Sequence, residues 1–148
     1  MTRLLPILIL AATASLCYAE EVVLDCRVKV NQELDSIKTS NDDVLRVVVE
    51  QGRDVVIDLK GLHLRGYFFT GADGKSVGAA RSKVFNGSTE GKWFIESETL
   101  TPEYRARAGI TIDRRSGSFE YWSNHLGANG GKMNYLASGS CERARNRF

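Results

Sequence analysis

Two cysteines far apart in the chain, Cys26 and Cys141, constrain its fold more than any other feature. The third cysteine, Cys17, lies in a leader segment described next. An even cysteine count in an exported chain favours a disulfide, and a bond here would enclose nearly the whole domain. The loss of loop entropy in the unfolded chain predicts that such a bond stabilises the fold by roughly 4–5 kcal/mol. The bond would also require the first and last strands to be neighbours. Two free buried thiols are the alternative, whereas zinc is disfavoured because no histidine pair accompanies the cysteines.

Residues 1–19 have the pattern of a secretory signal peptide. Arg3 gives a positive start, residues 4–16 form an apolar stretch, and residues 17–19 place small side chains at the positions that a signal peptidase reads. The apolar stretch is shorter than the roughly 20 residues that cross a bilayer. We therefore predict cleavage after Ala19 and a periplasmic or secreted protein. An uncleaved anchor is the alternative, and a lipoprotein signal is disfavoured because Leu16 precedes the cysteine.

The remaining chain, residues 20–148, has the length and composition of one globular domain. Removing the leader removes Arg3 and no acidic residue, so the formal net charge falls from +2 to +1. A dedicated nucleic-acid binder usually carries a strong basic excess, so we predict no nucleic-acid partner.

Short β-branched runs with a period of two predict an all-β domain. Residues 22–30 alternate clearly, and residues 108–122 form two such runs around a short glycine-containing turn. Residues 31–43 are polar and weakly patterned, so we predict a loop or a short helical turn there. Residues 124–131 are rich in glycine and asparagine, so we predict a flexible loop. About seven or eight strands result, which favours a small antiparallel barrel or sandwich closed by a disulfide between Cys26 and Cys141.

The hairpin at residues 110–119, followed by Gly139-Ser140-Cys141 and a basic end, resembles small uncharacterised exported proteins of Gram-negative bacteria. In those proteins a segment I-x-I-[DN]-R-x-[ST]-G-x-[FY] precedes a C-terminal G-x-C. That resemblance covers about the last forty residues and implies no particular activity. A weaker, architectural resemblance is to the periplasmic C-type lysozyme inhibitors, compact β-barrels that also pair an early cysteine with a late one. Their loop with characteristic Ser and Tyr residues has no clear counterpart here.

Catalytic and metal-binding patterns are sparse in this sequence. The two histidines, His63 and His125, have no metal-ligand spacing, so we predict neither a metal nor a cofactor. Glu96 and Glu98 would share one strand face, and paired carboxylates can support glycosidic chemistry. A small hydrolase that uses carboxylates with one of the histidines is therefore the enzymatic alternative.

Two predicted connections carry the candidate binding residues, because recognition commonly resides in loops on a rigid scaffold. These residues are Arg114, Arg115, Ser116, Trp122, Asn124 and His125. Arg143, Arg145 and Arg147 alternate in a short basic tail. If the tail is extended, they would project on one side and could contact an anionic membrane surface.

The favoured function is an exported, non-enzymatic binding or inhibitor-like domain of the bacterial envelope. Its partner would be an envelope protein or a small apolar ligand. The alternatives are the small hydrolase and a structural envelope component that is tethered by its basic tail.

Overall fold

A computed structural model describes residues 20–74, 76–77 and 80–144. The predicted signal peptide, residues 1–19, and the tail residues Arg145 and Arg147 lie outside this described part. The described strands are β1 (Glu20–Leu34), β2 (Ile37–Gln51), β3 (Val55–Lys60), β4 (Arg65–Phe69), β5 (Ser76–Val77), β6 (Ala80–Asn86), β7 (Lys92–Leu100), β8 (Tyr104–Asp113), β9 (Ser118–Gly127) and β10 (Lys132–Arg143). A single 3-10 turn, Thr70–Ala72, follows β4.

These strands form one antiparallel sheet in the order β4-β3-β2-β1-β10-β9-β8-β7-β6-β5. The sheet curls into a nearly closed barrel, and the segment after β4 crosses the remaining gap. The backbone N–H of Val55 in β3 donates to the Thr70 hydroxyl at 2.8 Å. On the far side, the N–H of Val84 in β6 donates to the Asp73 carboxylate at 3.0 Å. The all-β prediction is confirmed, and of the two predicted architectures, barrel and sandwich, the structure forms the barrel. The described residues form ten strands rather than the predicted seven or eight.

The disulfide between Cys26 and Cys141 is present and joins β1 to β10. The two cysteines are direct partners in the register of these strands. The prediction that the first and last strands are neighbours is therefore confirmed. Cys26 is completely buried, so the disulfide forms part of the barrel interior.

Inward-facing side chains fill the middle of the barrel. The residues that are at most 1% exposed come from seven strands and include Cys26, Leu45, Val47, Val49, Ile57, Leu59, Ile95, Ile110, Ile112, Phe119 and Ala137. Their alternation with exposed residues is the period of two that a half-buried strand requires. A small barrel of this kind holds side chains rather than a large ligand.

Two segments predicted as loops are strands. Residues 31–43 continue β1 and β2, and the chain reverses at Asp35, whose φ is +52°. Residues 124–127 likewise belong to β9, so only residues 128–131 form the turn. Both predictions were wrong because these segments are mostly polar, and their few large apolar side chains, Leu34, Ile37 and Leu126, are exposed rather than buried on one face. Backbone pairing, rather than a buried face, keeps them extended.

Asp43 holds the β3–β4 loop against the long β1–β2 hairpin. One of its carboxylate oxygens accepts hydrogen bonds from the backbone N–H groups of Val44, at 2.9 Å, and Leu62, at 3.1 Å. The other oxygen accepts from those of His63, at 2.7 Å, and Leu64, at 2.9 Å. Burial raises the pKa of the Asp43 carboxyl, but the four donors outweigh this effect and hold the pKa below its ordinary value.

We expect Asp43→Asn to lower the free energy of unfolding by about 2–3 kcal/mol at pH 7, because a neutral amide loses charge-assisted bonds and leaves donors unpaired. Urea denaturation measures this change. Asp42→Asn, at the exposed neighbouring position, is the control and should change stability little.

The same variant predicts a pH dependence. The pKa of Asp43 is lower in the folded state than in the unfolded state, where it is about 3.9. The stabilisation by Asp43 is therefore fully present above the unfolded-state pKa and is lost as the pH falls through the folded-state pKa. The stability difference between the wild type and Asp43→Asn should therefore persist at pH 5 and shrink at lower pH. A difference that stays constant down to pH 2 would contradict this role.

Candidate functional site

A pocket of about 300 Å³ opens at the end of the barrel where the β8–β9 turn lies. We call it the arginine pocket. It lies between the first residues of β1 and β7, the last residues of β8 and β10, and the β8–β9 turn. Its lining residues are Val22, Leu24, Trp93, Ile112, Asp113, Arg114, Arg115, Ser116, Gly117, Cys141 and Arg143.

The pocket has an apolar wall and a charged rim. Val22, Leu24, Trp93 and Ile112 are at most 6% exposed and belong to the barrel core. The three arginines are exposed and stand at the opening. A ligand here would therefore place a charged group at the rim and apolar atoms deeper inside, which is a common arrangement in binding pockets.

Asp113 fixes the conformation of the β8–β9 turn. Its Oδ1 accepts hydrogen bonds from the backbone N–H groups of Arg115, at 2.9 Å, and Ser116, at 2.7 Å, and from the Ser116 hydroxyl at 2.9 Å. Bonds from Ser116 and Arg115 hold the pKa of the Asp113 carboxyl below its ordinary value. Asp113 thus orders the turn, and the arginine backbone is set before any ligand arrives.

Gly117 connects this turn to the disulfide strand. Its φ is +73°, in the left-handed region that favours glycine. Its carbonyl accepts a hydrogen bond from the N–H of Cys141 at 2.7 Å. A Cβ at this position would overlap the carbonyl oxygen of Cys141. Glycine at position 117 therefore allows the β8–β9 turn to lie close to the backbone of Cys141, and this contact forms the floor of the arginine pocket.

The three arginines of the pocket have no carboxylate within ion-pair distance in the part of the chain that the structure describes. The ion pairs found there are Lys38–Glu33, Lys60–Asp58 and Arg105–Glu98. The Arg114 guanidinium instead lies over the Trp93 ring, 4.8 Å from its centroid, in a cation–π contact. Three arginines and one aspartate give the lining an excess of two positive charges.

Trp93 adds a donor that the protein leaves unpaired. The residue is 4% exposed, and its indole N–H has no hydrogen-bond acceptor among the described residues. A buried donor without a partner costs about 1–3 kcal/mol, so native structures rarely keep one without a reason.

The remaining predicted binding residues lie elsewhere on β9. Trp122 is half-buried on the outer face, where its indole covers Gly109 and the Arg107 guanidinium lies 6.0 Å from its ring centroid. Asn124 is exposed on the same face. His125 faces inward near the other end of the barrel and makes an edge contact with the Tyr135 ring at 6.5 Å. The structure therefore brings together only Arg114, Arg115 and Ser116 of the six predicted residues.

The residues of the enzymatic alternative do not share one cleft. Glu96 and Glu98 lie on the outer face of β7, and Glu98 pairs with Arg105, which holds the pKa of its carboxyl below the ordinary value. His125 points to the inner face of β9, so the sheet separates it from both glutamates. His63 is exposed in the β3–β4 loop, and the hydrogen bond described above uses its backbone rather than its ring.

A larger, shallower groove runs along β3 and β4, but its cations are already satisfied. Lys60 pairs with Asp58 at 3.0 Å, and the Arg65 Nε donates to the Gly61 carbonyl at 2.9 Å. In the arginine pocket, by contrast, no described carboxylate lies within ion-pair distance of a guanidinium group, and Arg114 instead contacts the Trp93 ring. This contrast makes the arginine pocket the better candidate for binding an external group.

Sequence reasoning missed Trp93 as a site residue and assigned Arg143 to a free tail. Arg143 belongs to β10, two residues after the disulfide, and the N–H of the next residue, Ala144, donates to the Val23 carbonyl at 2.9 Å. Trp93 pairs with Ile112 across β7 and β8. The predicted disulfide and the predicted β8–β9 hairpin could together have placed Arg143 beside the β8–β9 turn. Trp93 could be placed there only by knowing that β7 pairs with β8.

Comparison of this chain with protein-family models, with curated proteins and with solved structures found no match. The resemblances to small exported Gram-negative proteins and to lysozyme inhibitors therefore remain predictions. Within the described residues, no helix has the length and apolar character needed to cross a membrane. The same residues contain no group of three or more His, Cys, Asp or Glu side chains placed to hold a metal ion.

We expect Gly117→Ala to destabilise the protein more than Gly130→Ala does. Both glycines have positive φ, a conformation that costs an L-residue about 1–2 kcal/mol. Only at position 117 would the added methyl group meet backbone, because nothing lies within 4 Å of the Cβ position at Gly130. Urea denaturation of both variants should show the larger loss for Gly117→Ala. An equal loss of unfolding free energy in the two variants would mean that the backbone around Gly117 and Cys141 moves apart without cost to accept the methyl group.

Proposed function

We propose that this chain is an exported, non-enzymatic binding domain and that the arginine pocket is its ligand site. The observation that carries the proposal is the set of arginines at the rim, Arg114, Arg115 and Arg143, which have no carboxylate within ion-pair distance among the described residues and border an apolar pocket. Arginine guanidinium groups are the usual protein partners of carboxylates and phosphates. The ligand is therefore a molecule, or a segment of an envelope protein, that presents an anionic group.

The fixed turn supports a binding role. Asp113 and Gly117 hold the β8–β9 turn through hydrogen bonds on both sides, so the backbone that carries Arg114 and Arg115 loses little conformational freedom when a ligand is bound. The disulfide strand forms the adjoining wall. A rigid scaffold that presents exposed donors is the arrangement expected of a recognition site.

Export is the second part of the proposal. The leader pattern of residues 1–19 supports it, and so does the disulfide, because such bonds persist in oxidising compartments. A periplasmic or secreted location places the pocket among envelope components, many of which carry anionic groups.

The test follows the indole N–H resonance of Trp93 by NMR during titration with sodium sulfate and with sodium acetate at constant ionic strength. We expect a saturable shift with at least one anion, and loss of saturation in Arg114→Gln/Arg115→Gln. The matched control is Arg27→Gln/Arg46→Gln, which removes the same charge from the outer faces of β1 and β2. It should bind as the wild type does.

A linear, non-saturating response to both anions would overturn the anionic site. Equal weakening by the two double variants would also overturn it, because the effect would then follow net charge rather than the pocket.

A further inference from the structure

The charge and shape of the arginine pocket favour one class of anion over others. We infer that its ligand is a phosphomonoester, a dianionic phosphoryl group attached to a small organic residue. This inference rests on the proposed function and adds the chemical class of the ligand.

Charge is the first argument. The lining carries three arginines and one aspartate, and the aspartate is engaged by the backbone of its own turn. A carboxylate or a phosphodiester brings one negative charge and leaves part of this excess uncompensated. A phosphomonoester carries about −1.5 to −2 charges at pH 7 and three strong acceptor oxygens. It therefore matches the two excess positive charges most closely.

The placement of the donors is the second argument. Arg114 and Arg115 stand on the β8–β9 turn, whereas Arg143 stands at the end of β10, so the arginines that line the pocket come from two different elements. Each guanidinium can donate two parallel hydrogen bonds. A planar carboxylate offers two oxygens in one plane. A tetrahedral phosphoryl group offers three in different directions, which suits donors on different elements.

Size and apolar character define the rest of the ligand. About 300 Å³ lies at the lower limit of small-molecule pockets, yet it exceeds what a phosphate ion fills. The buried side chains of Val22, Leu24 and Ile112 form the inner wall. The organic residue is therefore compact and partly apolar. A soluble phosphate monoester and the headgroup of phosphatidic acid both provide this chemistry.

The first experiment is calorimetric titration of the disulfide-bonded protein with methyl phosphate, dimethyl phosphate and acetate at pH 7.5 and constant ionic strength. We expect methyl phosphate to bind at least tenfold more tightly than the two monoanions. Arg143→Gln should lose this preference, whereas Arg46→Gln, an exposed substitution on the outer face of β2, should keep it. Thermal unfolding of both variants confirms that they fold.

The pH dependence of the affinity distinguishes recognition of the phosphate dianion from a general attraction between arginines and anions. The second phosphate pKa is about 6, so the affinity for methyl phosphate should fall between pH 7.5 and pH 5.5. Dimethyl phosphate remains a monoanion over this range and should show no such fall.

The outcomes separate this inference from the proposed function. Equal affinity for all three probes would keep the anionic site and overturn the phosphomonoester. Binding of acetate alone would do the same and would favour a carboxylate on a protein partner. No binding of any probe, together with no response to sulfate, would overturn both.

Two sources of the phosphoryl group are then distinguished. Glycerol 3-phosphate represents a soluble ester, and vesicles containing phosphatidic acid represent a lipid headgroup. If the protein cosediments with the vesicles and added glycerol 3-phosphate releases it, the result supports a lipid source. Binding of the soluble ester without cosedimentation supports a soluble one. Failure of both probes would overturn the inference.

Discussion

The pairing of β1 with β10, fixed covalently by the disulfide between Cys26 and Cys141, is the constraint on which the rest of the structure depends. It joins the two halves of the sheet, because β2 to β4 extend from β1 and β5 to β9 extend from β10. Without this seam, two separate meanders would each expose an unpaired edge and an apolar face. The disulfide also reduces the conformational entropy of the unfolded chain over nearly the whole domain.

The same seam positions the arginine pocket. Cys141 contacts the β8–β9 turn through the carbonyl of Gly117, and Arg143 follows two residues later at the rim. Residues that are remote in sequence therefore meet at one end of the barrel for a structural reason. The backbone that carries the binding residues is therefore ordered before a ligand arrives, which favours specific recognition.

The two ends of the barrel use their carboxylates in the same way. At one end, Asp43 accepts four backbone hydrogen bonds and holds the β3–β4 loop. At the other end, Asp113 accepts bonds from its own turn. In both cases an acidic side chain replaces strand pairing where the sheet stops, so these acids have a structural role. At the pocket, the arginines have no carboxylate within ion-pair distance among the described residues, and this asymmetry supports the binding proposal.

The sequence by itself determined the strand character of the chain, the disulfide and the β8–β9 turn, because each depends on local pattern or on a simple count. Alternation in residues 22–30 and the glycine-containing turn after Asp113 are short-range signals. Only the tertiary structure decided that residues 31–43 and 124–127 are strands, because backbone pairing rather than an apolar face holds them. It also decided that Trp93 joins Arg114 and Arg143, since barrel curvature and strand pairing set which side chains meet. Such long-range contacts have no local signal in the sequence, whereas the turn that bears Arg114, Arg115 and Ser116 has one.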